Sequence, residues 1–366
     1  MITNGPLQMK IAQVAPLYES VPPRYYGGTE RVVYHLTEEL VHQGHEVTLF
    51  ASGDSATSGT LVPICPQALR LDDNCVDSMA HHILLLEQVG QAADRFDVIH
   101  FHVDYLHFPL SRLKKWPQVT TLHGRLDLPD LPPLYEEFSE MPVISISDAQ
   151  RRPLPRARWM DTVYHGLPPD LYGYRSTPGE YLAFLGRISP EKRVDRAIEI
   201  AGRAGLPLKI AAKVDPADRT YFEESIRPLL TASHVEFLGE ISEEEKGSFL
   251  GNARALLFPI DWPEPFGLVL IEALACGTPV IASPHGSVPE ILEDERTGFI
   301  VDSVEEAVGA VGQLASISRR DCRAAFEERF TAARMAREYV RVYETLRSPT
   351  RPHSHIPLTG DSPIPR

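Results

Sequence analysis

The residues best suited to chemistry lie in one stretch, Glu264-Pro265-Phe266-Gly267-Leu268-Val269-Leu270-Ile271-Glu272. Glu264 belongs to a proline-rich loop, and Gly267 opens an apolar helix. At 1.5 Å of rise per residue, Glu272 lies about 7 Å further along that helix. A helix start offers unpaired N–H groups and the positive end of the dipole, so it can seat a phosphate. The carboxylates repel phosphate, and their natural partners are neutral donors such as sugar hydroxyls. Either glutamate alone would read as a first-turn carboxylate or a solvated surface residue. Glu272 fits that description poorly, because Leu268 to Ile271 and Ala273 to Cys276 make the helix apolar nearly all round. A charge buried there needs a partner or a ligand. Phosphate and sugar read by one segment suggest a nucleotide sugar.

Other segments offer complementary chemistry. In Gly186-Arg187-Ile188-Ser189-Pro190-Glu191-Lys192-Arg193, Arg187 can act as a fork and Lys192 as a point charge on a pyrophosphate. Cations at a helix start oppose the dipole, which favours a ligand over a merely solvated turn. In Tyr25-Tyr26-Gly27-Gly28-Thr29-Glu30, Gly27 and Gly28 permit close backbone approach before another helix start, although a plain turn capped by Thr29 explains the pattern nearly as well. His123, in Thr121-Leu122-His123-Gly124, ends a strand and can donate to a sugar or phosphate; His165 is a similar, weaker candidate. The loop Ser283 to Glu290 places a glycine, a serine and Glu290 near a donor sugar or nucleotide, or forms an ordinary turn. His100, His102, Asp104 and His107 imitate a metal set, but core or cleft-lining histidines fit them better, and the chain contains no Asp-x-Asp.

Short apolar runs alternating with helical patterns must position these residues, the signature of an α/β chain of βαβ units. Strands are expected near 10–15, 46–51, 97–101, 118–122, 142–147 and 159–164, with a first helix at 29–43. After the linker come strands near 181–186, 207–212, 234–237, 255–259 and 278–282. Helices are expected there at 193–204, 218–230, 242–251, 267–275, 303–315 and 321–347. The domain reading is a Rossmann-like unit at 1–173, a linker at 174–180, a second Rossmann-like unit at 181–330, a returning helix at 331–347 and a disordered proline-rich tail at 348–366. Two such sheets create a cleft at the carboxyl ends of their strands, where open α/β sheets bind ligands. The motifs above fall at those strand ends.

Composition narrows the partners. A chain of 366 residues exceeds the usual single core. A net charge of −14 argues against a nucleic-acid groove or an anionic membrane as main partner. Cys65, Cys75, Cys276 and Cys322 form no C-x-x-C pair, which suits free thiols in a cytoplasmic setting. No run reaches 18 uninterrupted apolar residues, so no transmembrane segment is expected, while peripheral membrane contact stays open.

Taken together, these residues resemble the retaining glycosyltransferases of family 4, which have the GT-B fold: two Rossmann-like parallel-sheet domains facing across a cleft, with C-terminal helices crossing back to the first domain. The match runs from Lys10 to about Leu346. It is densest from Glu264 to Ala282, which is similar to the family's E-x7-E signature and arrives in order with the G-G, H-G, G-R-x-x-x-E-K and G-x-x-P-E motifs. The resemblance implies that Glu264 binds donor-sugar hydroxyls and Glu272 the ribose. It implies that backbone N–H groups of Phe266, Gly267 and Leu268 hold the distal phosphate, and that Arg187 and Lys192 neutralise the leaving pyrophosphate. It places Gly28 near phosphate or acceptor and His123 by the donor sugar.

The implied reaction is metal-free, retaining hexosyl transfer from a nucleoside diphosphate sugar to an acceptor hydroxyl, with no cofactor. UDP-glucose is the default donor and GDP-mannose the alternative. The chain departs from the family at Trp262 and at Lys213-Val214-Asp215-Pro216, where Lys213 either adds charge near the phosphates or caps a strand. The rival readings are a glycosidase-like carboxylate pair, an epimerase-like enzyme acting on the sugar nucleotide, and a non-catalytic nucleotide-sugar-binding protein. A dehydrogenase lacks its G-x-G-x-x-G fingerprint here.

Overall fold

A computed structural model describes residues 8–24 and 27–347. Tyr25 and Tyr26 of the double-glycine motif and the 348–366 tail therefore lie outside the described residues.

The first half carries strands β1 (Lys10–Val14), β2 (Glu46–Ala51), β3 (Thr60–Pro63), β4 (Val98–Phe101), β5 (Gln118–Thr121), β6 (Pro142–Ser145) and β7 (Arg158–Thr162). Its helices are α1 (Gly28–His42), α2 (Ser78–Ala92), α3 (Phe108–Lys114), α4 (Leu131–Glu137) and α5 (Asp148–Arg151). The second half carries β8 (Tyr181–Arg187), β9 (Leu208–Lys213), β10 (Val235–Gly239), β11 (Ala253–Phe258), β12 (Val280–Ala282) and β13 (Gly298–Ile300). Helices α6 (Val194–Ala204), α7 (Arg219–Tyr221), α8 (Glu243–Gly251), α9 (Leu268–Ala275), α10 (Val288–Ile291), α11 (Val304–Gln313), α12 (Arg319–Arg329) and α13 (Ala332–Arg347) accompany them.

The strands form a seven-stranded sheet, ordered β3-β2-β1-β4-β5-β6-β7, and a six-stranded sheet, ordered β10-β9-β8-β11-β12-β13. Every pairing within them is parallel. The expected architecture of two Rossmann-like parallel-sheet domains thus holds. Central strands of such sheets are covered on both faces, hence their continuous apolar character. Ile11, Ala12, Val14, Val98 and Ile99 are fully buried in the first sheet, as are Leu182, Ala183, Ala255 and Leu256 in the second. Strand order reverses between β1 and β4 and again between β8 and β11, and these reversals open the ligand-binding crevices.

The C-terminal helix crosses back to the first sheet. Met335, Ala336, Tyr339, Val342 and Tyr343 of α13 share one core with Met9, Ile11, Val32, Leu36, Val47 and Val98. The helix expected over 321–347 is in fact two, because Phe330 and Thr331 leave the helical path to run beside Leu167 at the end of the first unit. Leu167 N–H donates to the Phe330 carbonyl at 2.9 Å, and Ala332 N–H donates to the Leu167 carbonyl at 2.9 Å. Gly166 is required there, since a Cβ would stand 2.3 Å from the Thr331 carbonyl oxygen. The helix expected over 218–230 breaks into α7 and tighter or wider turns around Pro228. Strands β3 and β13 and helix α2 have no counterpart in the sequence reading. Both strands are short edge strands, and Met79, Ile83 and Leu84 leave α2 apolar on its exposed side, which blurs its period.

Candidate active site between two parallel sheets

The two strand-order reversals face one another across a cavity of about 700 Å³. Its wall includes Gly27, Gly28, His123, Arg187, Lys192, Lys213, Glu264, Phe266, Gly267, Leu268 and Glu272. Helices α1 and α9 both begin at this wall, so two sets of unpaired N–H groups and two positive dipole ends meet there. The halves come close: a Cβ on Gly28 would sit 3.5 Å from Leu268 Cδ1. Gly267 adopts φ 82°, a left-handed conformation that favours glycine and turns the loop sharply into α9.

Each carboxylate of the E-x7-E stretch is held by a cation. Lys192 Nζ bonds Glu264 Oε2, and the Trp262 indole donates to the same oxygen at 3.1 Å. Lys192 Nζ also lies 4.8 Å from the centre of the Trp262 ring. Trp262 therefore orients the Lys192–Glu264 pair. Glu272 is 2% exposed, and the partner its burial demands is Arg31 of α1, whose Nη1 donates to Oε1 at 2.7 Å. Lys246 Nζ reaches that same oxygen at 3.4 Å. Arg31 Nη2 and Lys246 Nζ both meet Glu243 Oε2, at 2.8 and 3.0 Å, and the Tyr172 hydroxyl donates to Glu243 Oε1. Burial alone would weaken the hold of Arg31 on its proton, but Glu272 and Glu243 keep its pKa above the ordinary value.

Arg187 is fixed by three carboxylates: Glu191 at 2.7 Å, Asp215 at 3.6 Å and Asp218 at 3.7 Å. Lys213 pairs with Asp215 at 3.1 Å. The segment after β9 thus supplies one cation, Lys213, and two of the carboxylates paired with Arg187, Asp215 and Asp218.

His123 is one end of a buried polar chain. Its Nε2 lies 2.8 Å from His102 Nδ1, and His102 Nε2 lies 2.7 Å from Gln13 Oε1. Gln13 Nε2 donates to the Tyr343 hydroxyl at 3.3 Å, which lies 2.7 Å from His100 Nδ1. His100 Nε2 is 2.7 Å from Thr121 Oγ1, which donates to the Tyr339 hydroxyl at 3.0 Å. Burial lowers the His123 pKa to about 3, and burial with neighbouring imidazoles takes His102 well below the ordinary value. His100 and His107 each spend both ring nitrogens on neighbouring hydroxyls, His107 on Ser111 and Thr120 at 2.7 Å. Among the described residues no cluster of His, Cys, Asp and Glu stands ready for a metal ion.

Glu290 is a correction. It lies outside the cavity wall, and both its oxygens serve the opposite domain, accepting from the backbone N–H groups of Asp148 at 2.8 Å and Ala149 at 2.7 Å. The Tyr164 hydroxyl adds a bond at 3.1 Å. Glu290 therefore caps the start of α5 rather than a donor sugar. The rest of its loop braces Glu264 from behind: Ser287 N–H donates to the Glu264 carbonyl at 2.9 Å, and Ser287 Oγ donates to the Phe266 carbonyl at 2.7 Å. At Gly286, with φ 63°, a Cβ would meet Glu264 backbone atoms at 2.2 and 2.3 Å. Glu290→Ala is expected to cost about 1–2 kcal/mol of stability by stripping two backbone donors, while the melting-temperature rise on adding nucleotide sugar stays unchanged. A lost ligand shift would return Glu290 to the donor site.

Arg31 and Lys246 also line the cavity and escape the sequence reading, and Asp104, considered there only as part of a metal set, lines it as well. The signal for a cation partner was the apolar helix around Glu272, but the partner lies on α1, 241 residues away. Asp104 adopts φ 50°, a left-handed backbone unusual for a residue with a Cβ and a common mark of functional positions.

Two family models match the chain: "Glycosyltransferase Family 4" over residues 26–184 and "Glycosyl transferases group 1" over residues 175–329. An uncharacterized glycosyltransferase of Methanocaldococcus jannaschii is 27% identical, covering 80% of this chain and 85% of that protein. A phosphatidyl-myo-inositol mannosyltransferase of Mycolicibacterium smegmatis is also 27% identical, covering 92% and 94%. Among solved structures, a glycosyltransferase of avilamycin A biosynthesis superposes with a TM-score of 0.72 at 24% identity, covering 93% of this chain and 98% of that one. A sucrose-phosphate synthase from Thermosynechococcus elongatus superposes with a TM-score of 0.76 at 19% identity, covering 93% and 99%.

Proposed function

The chain belongs to the family 4 glycosyltransferases, enzymes of the EC 2.4 type with the GT-B fold, and on that premise we propose that it transfers a hexosyl group from a nucleoside diphosphate sugar to an acceptor hydroxyl with retention of configuration. The observation that carries the proposal is the convergence of Arg187, Lys192, Lys213 and the starts of α1 and α9 on one cavity wall that also holds Glu264 and Glu272.

In this reading Phe266, Gly267 and Leu268 offer backbone N–H groups to the distal phosphate, with Gly27 and Gly28 opposite. Glu264 accepts from sugar hydroxyls and Glu272 from the ribose. Arg187 and Lys192 meet the charge that develops on the β-phosphate as the bond from the anomeric carbon to the phosphate oxygen breaks. The acceptor oxygen bonds to that carbon from the same face, and its proton passes to the departing phosphate. The three cations supply the positive charge the leaving group needs, so the proposal uses no metal or other cofactor. A glycosidase-like role for the two glutamates is disfavoured, because each carboxylate is already neutralised by a cation in a phosphate-binding setting.

UDP-glucose is the default reading of the donor, and GDP-mannose is the alternative. The names of two relatives, the Mycolicibacterium protein and an O-antigen chain mannosyltransferase C of Escherichia coli, favour a mannosyl group, with GDP-mannose as its carrier. Four free cysteines accord with a cytoplasmic setting. Among the described residues no helix is long and apolar enough to cross a membrane. A thermal-shift panel of UDP- and GDP-sugars tests the donor. A true donor at one hundred times its Kd stabilises the native state by about 2.7 kcal/mol. A panel in which no nucleotide sugar raises the melting temperature would overturn the proposal.

A further inference from the structure

We infer that Gln13 and Tyr343, neither of which lines the cleft, are positioning residues that present His123 to the donor sugar as a hydrogen-bond acceptor. The inference rests on the proposed reading that His123 faces that sugar.

The protons can be counted along the buried chain. Gln13 is fully buried on β1, with its amide nitrogen on the Tyr343 hydroxyl and its amide oxygen 2.7 Å from His102 Nε2. An amide oxygen only accepts, so His102 Nε2 carries the proton. Burial keeps His102 neutral, and a neutral imidazole has one N–H. His102 Nδ1 is therefore a lone pair, and the bond at 2.8 Å requires His123 Nε2 to donate. His123 is neutral as well, so its Nδ1 is also a lone pair. That atom is buried and has no partner among the described residues, while His123 lines the cavity.

The other branch follows the same order. The Tyr343 hydroxyl, having accepted from Gln13, donates to His100 Nδ1; His100 Nε2 then donates to Thr121, and Thr121 to Tyr339. Turning the Gln13 amide over would reverse every bond in both branches and place the proton on His123 Nδ1. One buried amide thus decides whether Nδ1 of the cavity-lining His123 is a donor or an acceptor. The distinction is selective, because a sugar hydroxyl can donate to a bare nitrogen and a phosphate oxygen cannot. His123 as ordered here accepts a hydroxyl and repels a misplaced phosphate oxygen. Tyr343 brings the C-terminal helix into that selection.

Nitrogen-15 NMR of histidine-labelled protein, with the His123 signals assigned from their loss in His123→Ala, reads the tautomer directly. The expected result is a proton on Nε2 and a bare Nδ1; a proton on Nδ1 would overturn the inference. Tyr343→Phe removes one oxygen from a helix that never touches the cavity, and Gln13→Met serves if that variant folds poorly. Either should yield mixed His123 tautomers. Either should also lower kcat/KM by about tenfold for the intact donor, the scale of one lost hydrogen bond, and by less for the monodeoxy donor missing the contacted hydroxyl. An unchanged tautomer in both variants would refute the roles of Gln13 and Tyr343. The tautomer is read without turnover, so an incorrect donor assignment would leave the NMR result standing.

Discussion

Lys192→Ala is expected to lower kcat about 10²–10³-fold with the true nucleotide sugar, the scale set by removing one prearranged electrostatic group from a developing oxyanion. The loss should fall on kcat more than on KM, because the charge Lys192 meets is largest in the transition state. The side chain is held for this task. It bonds Glu264 Oε2 and lies over two aromatic rings, at 4.8 Å from the Trp262 centre and 5.5 Å from that of Phe258. Arg187→Ala should act in the same direction, since Glu191, Asp215 and Asp218 keep that guanidinium aimed. Steady-state kinetics with the donor identified by thermal shift provides the measurement. Turnover within about threefold of the parent in Lys192→Ala, well short of the expected scale, would remove Lys192 from leaving-group stabilisation.

The second large effect is on stability. Arg31→Ala should cost about 3 kcal/mol, because it leaves a buried carboxylate with Lys246, 3.4 Å away, as its one remaining cation among the described residues. Glu272 is 2% exposed and Arg31 is 7% exposed, so water does little to replace the lost partner. The pair joins α1 of the first domain to α9 of the second, and the loss should therefore appear as weakened domain association as well as a lower urea midpoint. Changing both members, Arg31→Met with Glu272→Leu, should be less damaging than Arg31→Ala alone, since no uncompensated charge remains. Equal losses in the single and double variants would show that the unpaired Glu272 carries no penalty of its own.

Much of the site was legible because its parts are local. Glycines before helix starts, cations after strand β8 and a glutamate within an apolar run each carry their reason within a few residues. Period and turn chemistry likewise identify most strands, since a parallel strand buried on both faces must be a continuous apolar run. The misreadings arose where the deciding partner is distant in sequence. Glu290 sits in a strand-to-helix loop like the others, yet its ligands are backbone N–H groups 141 and 142 residues earlier. The helix expected over 321–347 is interrupted by pairing with Leu167, which no local propensity registers.

The amino-acid order by itself determined two parallel-sheet domains, a cleft at their strand ends and a segment where phosphate and hydroxyls could meet, because periodicity, glycine placement and helix polarity are short-range properties. Tertiary structure alone decided that Arg31 answers Glu272, that Trp262 orients Lys192 and Glu264, and that Gln13 and Tyr343 are bonded into the chain that ends on His123. These are contacts between elements tens to hundreds of residues apart. Their energy comes from burying charge and polar groups together, a condition that exists only once both sheets and the returning helix have packed.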